Sequence, residues 1–398
     1  MYLCVPVEPF LDPNDRFRQR RAQARRRKRL RRTVGAIALL LAAAAVAVGA
    51  GMMPERSGDS PKEVAASKSP KKKAAPKRRG PPVPKPIRGV HVTMALASIP
   101  GKIDEYASMP GLNTVQLDIK DENGEVGFHR LAPPLARRVG SAMRYYDPVK
   151  TVKALHADGI YVVGRVVCFE DPILSEERPE LAIRTTSGGV WRNHAGLGWT
   201  NPYDKRVWDY NLAIAKAAAR AGFDEIQFDY VRFPSDGDIE SAVFPGKRNE
   251  AKAVTIARWV HYATKRLKPL GVRVSVDVFG LSATRDLGIG QSPRRLSKIV
   301  DAIYPMVYPS HYGPGEYGLD SPPSVPGKTV GRSLRDFRRQ MKRGKAELVP
   351  WLEDFSFSGS PTLGHVQDQI FAARRWKAGG FLLWNAAGVY TEGALTTP

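Results

Sequence analysis

Acidic residues recur near the ends of short apolar runs in this 398-residue chain: Asp118 in TVQLDIK, Asp229 in DEIQFDYV, Asp277 in VRVSVDVF, and Glu353 with Asp354 in ELVPWLEDF. Side chains alternate across an extended strand. Gln116, Asp118 and Lys120 therefore share one face, as do Gln227 with Asp229 and Ser275 with Asp277. The opposite faces read Val, Leu, Ile and Phe, so the polar faces are expected to point together into a pocket. Converging carboxylates suit glycosidic-bond cleavage, where one acid stays protonated for the leaving oxygen and another stays ionised as nucleophile or base. Asp118, Asp229, Asp277 and Glu353 are the candidate catalytic carboxyls, and alternation leaves open which of them plays which part. Lys120, Arg165 and Arg232 are expected to hold carboxylates ionised and position substrate. Tyr308, Trp351, Asp354, Trp384 and Asn385 are expected to line the same mouth. Trp191, Trp199, Tyr203 and Tyr312 are further aromatics suited to sugar faces, although loop packing would use them equally well.

Other chemistries find less support. The seven histidines show no HxH or HxxxH spacing, and two cysteines exclude a thiolate zinc site, so no metal or cofactor is expected. No GxSxG elbow is present. Cys168 lies late in an apolar strand and reads as a buried small residue. DENG at 121–124 lacks the rest of a calcium loop and reads as a turn.

The elements that must position these residues are eight strand candidates, at 89–93, 114–120, 161–169, 224–231, 272–279, 302–308, 347–355 and 381–385. Helical patterns separate them. Asp147-Pro148 and Ser292-Pro293 place a capping residue before proline at a helix start. Val366, Ile370 and Ala373 form one buried stripe. Gly159, Gly222, Gly271 and Gly379 fall where helices should stop. Eight repeats over about 310 residues argue for a (β/α)8 TIM barrel with its chemistry at the C-terminal ends of the strands. An open doubly wound sheet is disfavoured, because no Gly-rich phosphate turn follows any strand.

The formal charge of +23 is uneven. Residues 1–88 carry 22 basic and 6 acidic residues, leaving only +7 for the rest, so nothing in the globular part demands nucleic acid. Residues 16–32 include eleven Lys or Arg, and 34–53 is a charge-free run of 20 residues. A helix of that length spans roughly 30 Å, the hydrocarbon thickness of a bilayer. The basic cluster before it predicts a cytoplasmic N-terminus and an exported C-terminal part. Residues 54–87 hold eight prolines and ten Lys or Arg, the composition of an extended, disordered tether. The expected organisation is a cytoplasmic basic segment at 1–33, a transmembrane signal-anchor at 34–53, the linker at 54–87, and a barrel at 88–398.

The block GFDEIQFDYVRFPSDG at 222–237 resembles a family of bacterial barrel proteins described as glycoside hydrolases. NTVQLDIKDENGEV, NPYDKRVWDYN, YPMVYPSHY, PWLEDF and LLWNAAGVYT agree with it, and together they span nearly all of 88–398. The resemblance implies a glycosidase-like barrel with Asp229 at the fourth-strand position where several retaining families place a nucleophile. The expectation is a membrane-anchored, outward-facing glycoside hydrolase of cell-wall or extracellular polysaccharide. A catalytically silent glycan-binding barrel on the same tether is the alternative.

Overall fold

The computed structural model describes residues 80–355 and 362–398. The basic segment 1–33 expected to be cytoplasmic, the apolar run 34–53 and the linker up to residue 79 lie outside the described residues. Among the described residues, no helix is long and apolar enough to cross a membrane.

The strands are β1 (Ile87–Val92), β2 (Thr114–Lys120), β3 (Tyr161–Val167), β4 (Glu225–Asp229), β5 (Arg273–Phe279), β6 (Ala302–Met306), β7 (Glu347–Leu348), β8 (Trp351–Glu353) and β9 (Gly380–Trp384). All pairings between them are parallel, and β9 returns to β1 while β5 meets β6, so the sheet closes. β7 and β8 are two halves of one barrel strand, parted at Val349-Pro350, where proline offers no N–H to the ladder. The result is the expected eight-strand (β/α)8 barrel.

Two apolar layers hold it. The larger lies between strands and helices and includes Val115, Leu117, Val166, Ile226, Phe228, Val274 and Val276. A smaller cluster of Ile87, Tyr304, Val349, Trp351 and Leu382 fills the barrel interior. Val83 packs against that inner cluster, and the Asn113 side chain donates to the Pro86 carbonyl at 2.9 Å, so the chain leading into β1 already rests on the barrel.

The helix signals hold where a side chain can reach the orphan amides. Asp147 accepts from Val149 and Lys150, starting the helix Pro148–Ala157. Thr362 does the same for Leu363–Arg375, and Asp171, followed by Pro172, for Pro172–Glu177. Ser292 makes no side-chain cap, and the helix it precedes spans only Pro293–Leu296. Gly222 stops Lys205–Ala221 in the left-handed conformation, as expected. Gly379 does not act this way. Left-handed backbone falls at Lys377 and at Gly380 instead, and Gly379 is small because the Glu347 carboxylate packs against it.

Candidate active site

Arg165 organises the mouth. Its register on β3 places it beside Asp118 of β2, and Asp229 of β4 lies one pleat further on, opposite Val167. The guanidinium donates to Asp118 Oδ1 at 2.9 Å, and to Asp229 Oδ2 from Nε at 2.8 Å and Nη2 at 2.7 Å. Glu122, in the turn after β2, stands 3.5 Å from Nη1. Burial works against the Arg165 charge, but the three carboxylates outweigh it and hold its proton affinity above the ordinary value.

Asp277 of β5 is in a different state. It accepts from Trp351 Nε1 at 2.7 Å and is 1% exposed. Burial first, and then the charge of Asp229, push its carboxyl well above the usual range. The mouth therefore contains a salt-bridged carboxyl and, within reach of its field, a second carboxyl of raised proton affinity. Tyr308 is buried against the same groups. Burial and the charges of Asp277 and Asp229 hold its hydroxyl protonated.

Around these residues His91 of β1 stacks on Trp384 with ring centroids 4.3 Å apart and stands 3.6 Å from Asp118. Its other ring nitrogen pairs with Gln116 Oε1, and Gln116 donates to Gln227 at 2.5 Å. Burial lowers the His91 pKa and outweighs Asp118, which leaves the imidazole neutral. Trp351 meets Trp384 edge-on at 5.9 Å, and Trp384, which is partly exposed, presents the accessible aromatic face. Glu353 Oε2 accepts from the Ser310 amide at 2.9 Å and hydroxyl at 2.6 Å, while burial raises its pKa.

Several expected site residues are employed elsewhere. The register slips between Asp118 and Lys120, so Lys120 falls opposite Val166 instead of on the Asp118 face. This bulge turns the ammonium out of the barrel, where it pairs with Asp171 at 2.7 Å and Asn211 at 3.0 Å, fully buried. Arg232 lies within 5 Å of the rings of Trp199, Tyr230 and Phe279 and donates to Phe233 O and Ser235, so it packs the mouth's wall without touching a carboxylate. Asp354 accepts from the Thr391 amide and hydroxyl, and Asn385 donates to the Asp354 carbonyl. Both tie down the C-terminal loop. Trp191, Trp199, Tyr203 and Tyr312 are buried in loop packing and offer no open face to a sugar. Cys168 is buried with its thiol pushed up by desolvation, and DENG forms a turn closed by Asp121, both as read.

Glu122, Ser310 and Phe355, which meets Tyr308 edge-on at 5.6 Å, fall inside family-like stretches of the sequence but were not read as site residues. Tyr230 was also missed. Its φ is +48°, a conformation non-glycine residues avoid, and its amide donates to Asp229 Oδ1 at 2.6 Å. Such strain directly after a carboxylate is typical of functional loops.

A closed parallel barrel whose C-terminal mouth gathers Asp118, Asp229 and Asp277 around one arginine has the architecture of a barrel enzyme. The chain belongs to the family described as "Putative glycosyl hydrolase domain", whose sequence model matches residues 89–390. Among solved structures it is similar to the PgaB (BpsB) glycoside hydrolase domain from Bordetella bronchiseptica, with 14% identity and a TM-score of 0.56 over 75% of this chain and 94% of that one. A hypothetical protein from Ruminiclostridium thermocellum is 36% identical over 48% of this chain and 97% of that one, with a TM-score of 0.42. No curated protein sequence matches the chain significantly.

Proposed function

We propose that this protein hydrolyses glycosidic bonds in a polysaccharide, with Asp229 as nucleophile or charge stabiliser and Asp277 as proton donor. The observation that carries the reading is the pairing itself: Asp229 is salt-bridged to Arg165, while burial and then the Asp229 charge raise the proton affinity of Asp277 well above that of an ordinary carboxyl. Environments that push two carboxyls apart define an acid and its partner. Asp118 and Glu122 balance the Arg165 charge, and Trp384 supplies an apolar face for a sugar ring. Glu353, whose proton affinity burial also raises, is the second candidate donor.

The test incubates the full chain, wild type beside Asp229→Asn, with bacterial cell-wall and secreted polysaccharides and counts new reducing ends. Release by wild type that the variant loses, with unchanged circular dichroism, supports the reading. Equal release removes Asp229 from the mechanism. The firm hold of Arg165 on both Asp118 and Asp229 favours one other reading, a silent glycan-binding barrel. Binding without release by wild type would establish it. The basic run at 16–32 and the apolar run at 34–53 support an anchored, outward-facing barrel acting on cell-wall or extracellular glycan.

A further inference from the structure

Outside the mouth, the barrel's charge is concentrated in one place. Residues 326–345, the helix Pro326–Met341 and the turn after it, hold eight Lys or Arg against one acidic residue. The rest of 89–398 has basic and acidic residues in equal number. This helix packs beside Leu363–Arg375, and the two enclose a groove of about 610 Å³ on the outer surface of the barrel. Gly327 and Gly331 set its depth, because a Cβ at Gly327 would press on the Asp368 carbonyl and one at Gly331 would meet the edge of the Trp376 ring.

The lining combines two chemistries. Lys328, Arg332, Arg335 and Arg375 supply positive charge, and Phe371, 47% exposed, and Trp376 supply aromatic surface. Arg335 also reaches Asp336 at 3.5 Å, and Arg332 donates to the Tyr317 carbonyl. Asp368 is the one acidic lining residue, and it directs an anionic group toward the Arg335 and Arg375 end. Guanidinium groups pair with carboxylates in plane, and aromatic rings accept the apolar face of a pyranose. Charge and aromatic rings together in one groove suit an acidic sugar chain, whereas a lipid headgroup layer would use the charges without the rings. We propose that this groove is a second carbohydrate site, separate from the mouth, that binds a polysaccharide of acidic sugars. The inference does not depend on the catalytic reading.

The test uses the full chain in non-ionic detergent and measures retention by polygalacturonate, with dextran as the neutral chain and a DNA duplex as a polyanion without accessible sugar faces. Because residues 1–88 are themselves basic, the comparison is among variants. The pair Arg335→Ala with Arg375→Ala is expected to weaken polygalacturonate binding about tenfold. Phe371→Ala should weaken it several-fold with no change in charge. Lys150→Ala with Lys153→Ala, which removes the same charge from another helix, should leave it unchanged. Added salt should weaken the arginine-dependent part. Equal retention of the groove and control pairs overturns the proposal. So does an effect of the arginine pair that is the same for DNA and accompanied by none from Phe371→Ala, since the groove would then be a general polyanion patch.

Discussion

At the scale of single residues, function rests on what each carboxyl touches. At Asp277 burial, with the charges of Asp229 and Glu225, outweighs the Trp351 hydrogen bond and the Arg165 charge, and its proton affinity rises accordingly. If it donates the proton, activity should fall as pH rises through that raised value, and Asp277→Asn should lower kcat by about 10²-fold or more. A basic limb that survives in Asp277→Asn and disappears in Glu353→Gln would transfer the role to Glu353. Stability should report the same group. The folded pKa lies above the unfolded value, so the stability Asp277 contributes is complete below about pH 3.9 and is lost as pH climbs through the folded pKa. Asn stays neutral throughout. Asp277→Asn should therefore gain Tm over wild type at neutral and alkaline pH and gain nothing in strong acid, a difference that thermal melts across pH would show. Alternation alone assigned Asp118, Asp229 and Asp277 correctly to the interior. It could not show which of them Arg165 would hold, because that depends on neighbouring strands far apart in sequence.

At the scale of elements, one slip of register decides the fate of Lys120. The strand pattern places it with Asp118, and it would stay there if β2 were regular. The bulge sends it to the outer layer as the buried partner of Asp171, which also caps the helix Pro172–Glu177. Removing one member of a buried ion pair strands the other charge. Lys120→Met is thus expected to cost about 3–5 kcal/mol in denaturant unfolding. Asp171→Asn in the Lys120→Met background should recover part of that loss, and no recovery would mean the pair is not coupled. Closure depends on a second local feature. Gly380 opens β9 with φ +135°, and a Cβ there would strike the Ile87 backbone across the β1–β9 seam. Gly380→Ala should destabilise the barrel by more than about 1 kcal/mol, the ordinary cost of a forced backbone conformation. An unchanged melting temperature would show that the seam can relax.

At the scale of the whole molecule, the proposal is a catalytic barrel held near a membrane by its N-terminal segments. The expected outcome is that the full chain fractionates with membranes and resists extraction at alkaline pH, while a chain lacking 34–53 is released. A protease added outside intact cells or spheroplasts should reach the barrel. Release of the full chain by salt alone would mean that the basic run, not the apolar one, mediates attachment. Positive charge is in excess before the apolar run, again in the linker at 54–87, and on the barrel at 326–345, the helix Pro326–Met341 with the turn after it.

The sequence by itself determined the alternation of strand and helix, the shared inward face of Gln116 with Asp118, Gln227 with Asp229 and Ser275 with Asp277, and the N-terminal charge asymmetry, because periodicity and composition are local properties of the chain. Strand ends were less legible: 161–169 and 302–308 ran past the last paired residue because apolar runs continue into loops that pack as tightly as strands. Only the tertiary structure decided that Arg165 bridges Asp118 and Asp229, that Lys120 leaves the mouth, and that Trp191 and Trp199 are packing while Trp384 is open. It also decided that Gly327 and Gly331 let two helices form a groove. Each of those outcomes depends on which residues from distant segments share one small volume, and burial and electrostatics act on that shared volume, not on positions along the chain.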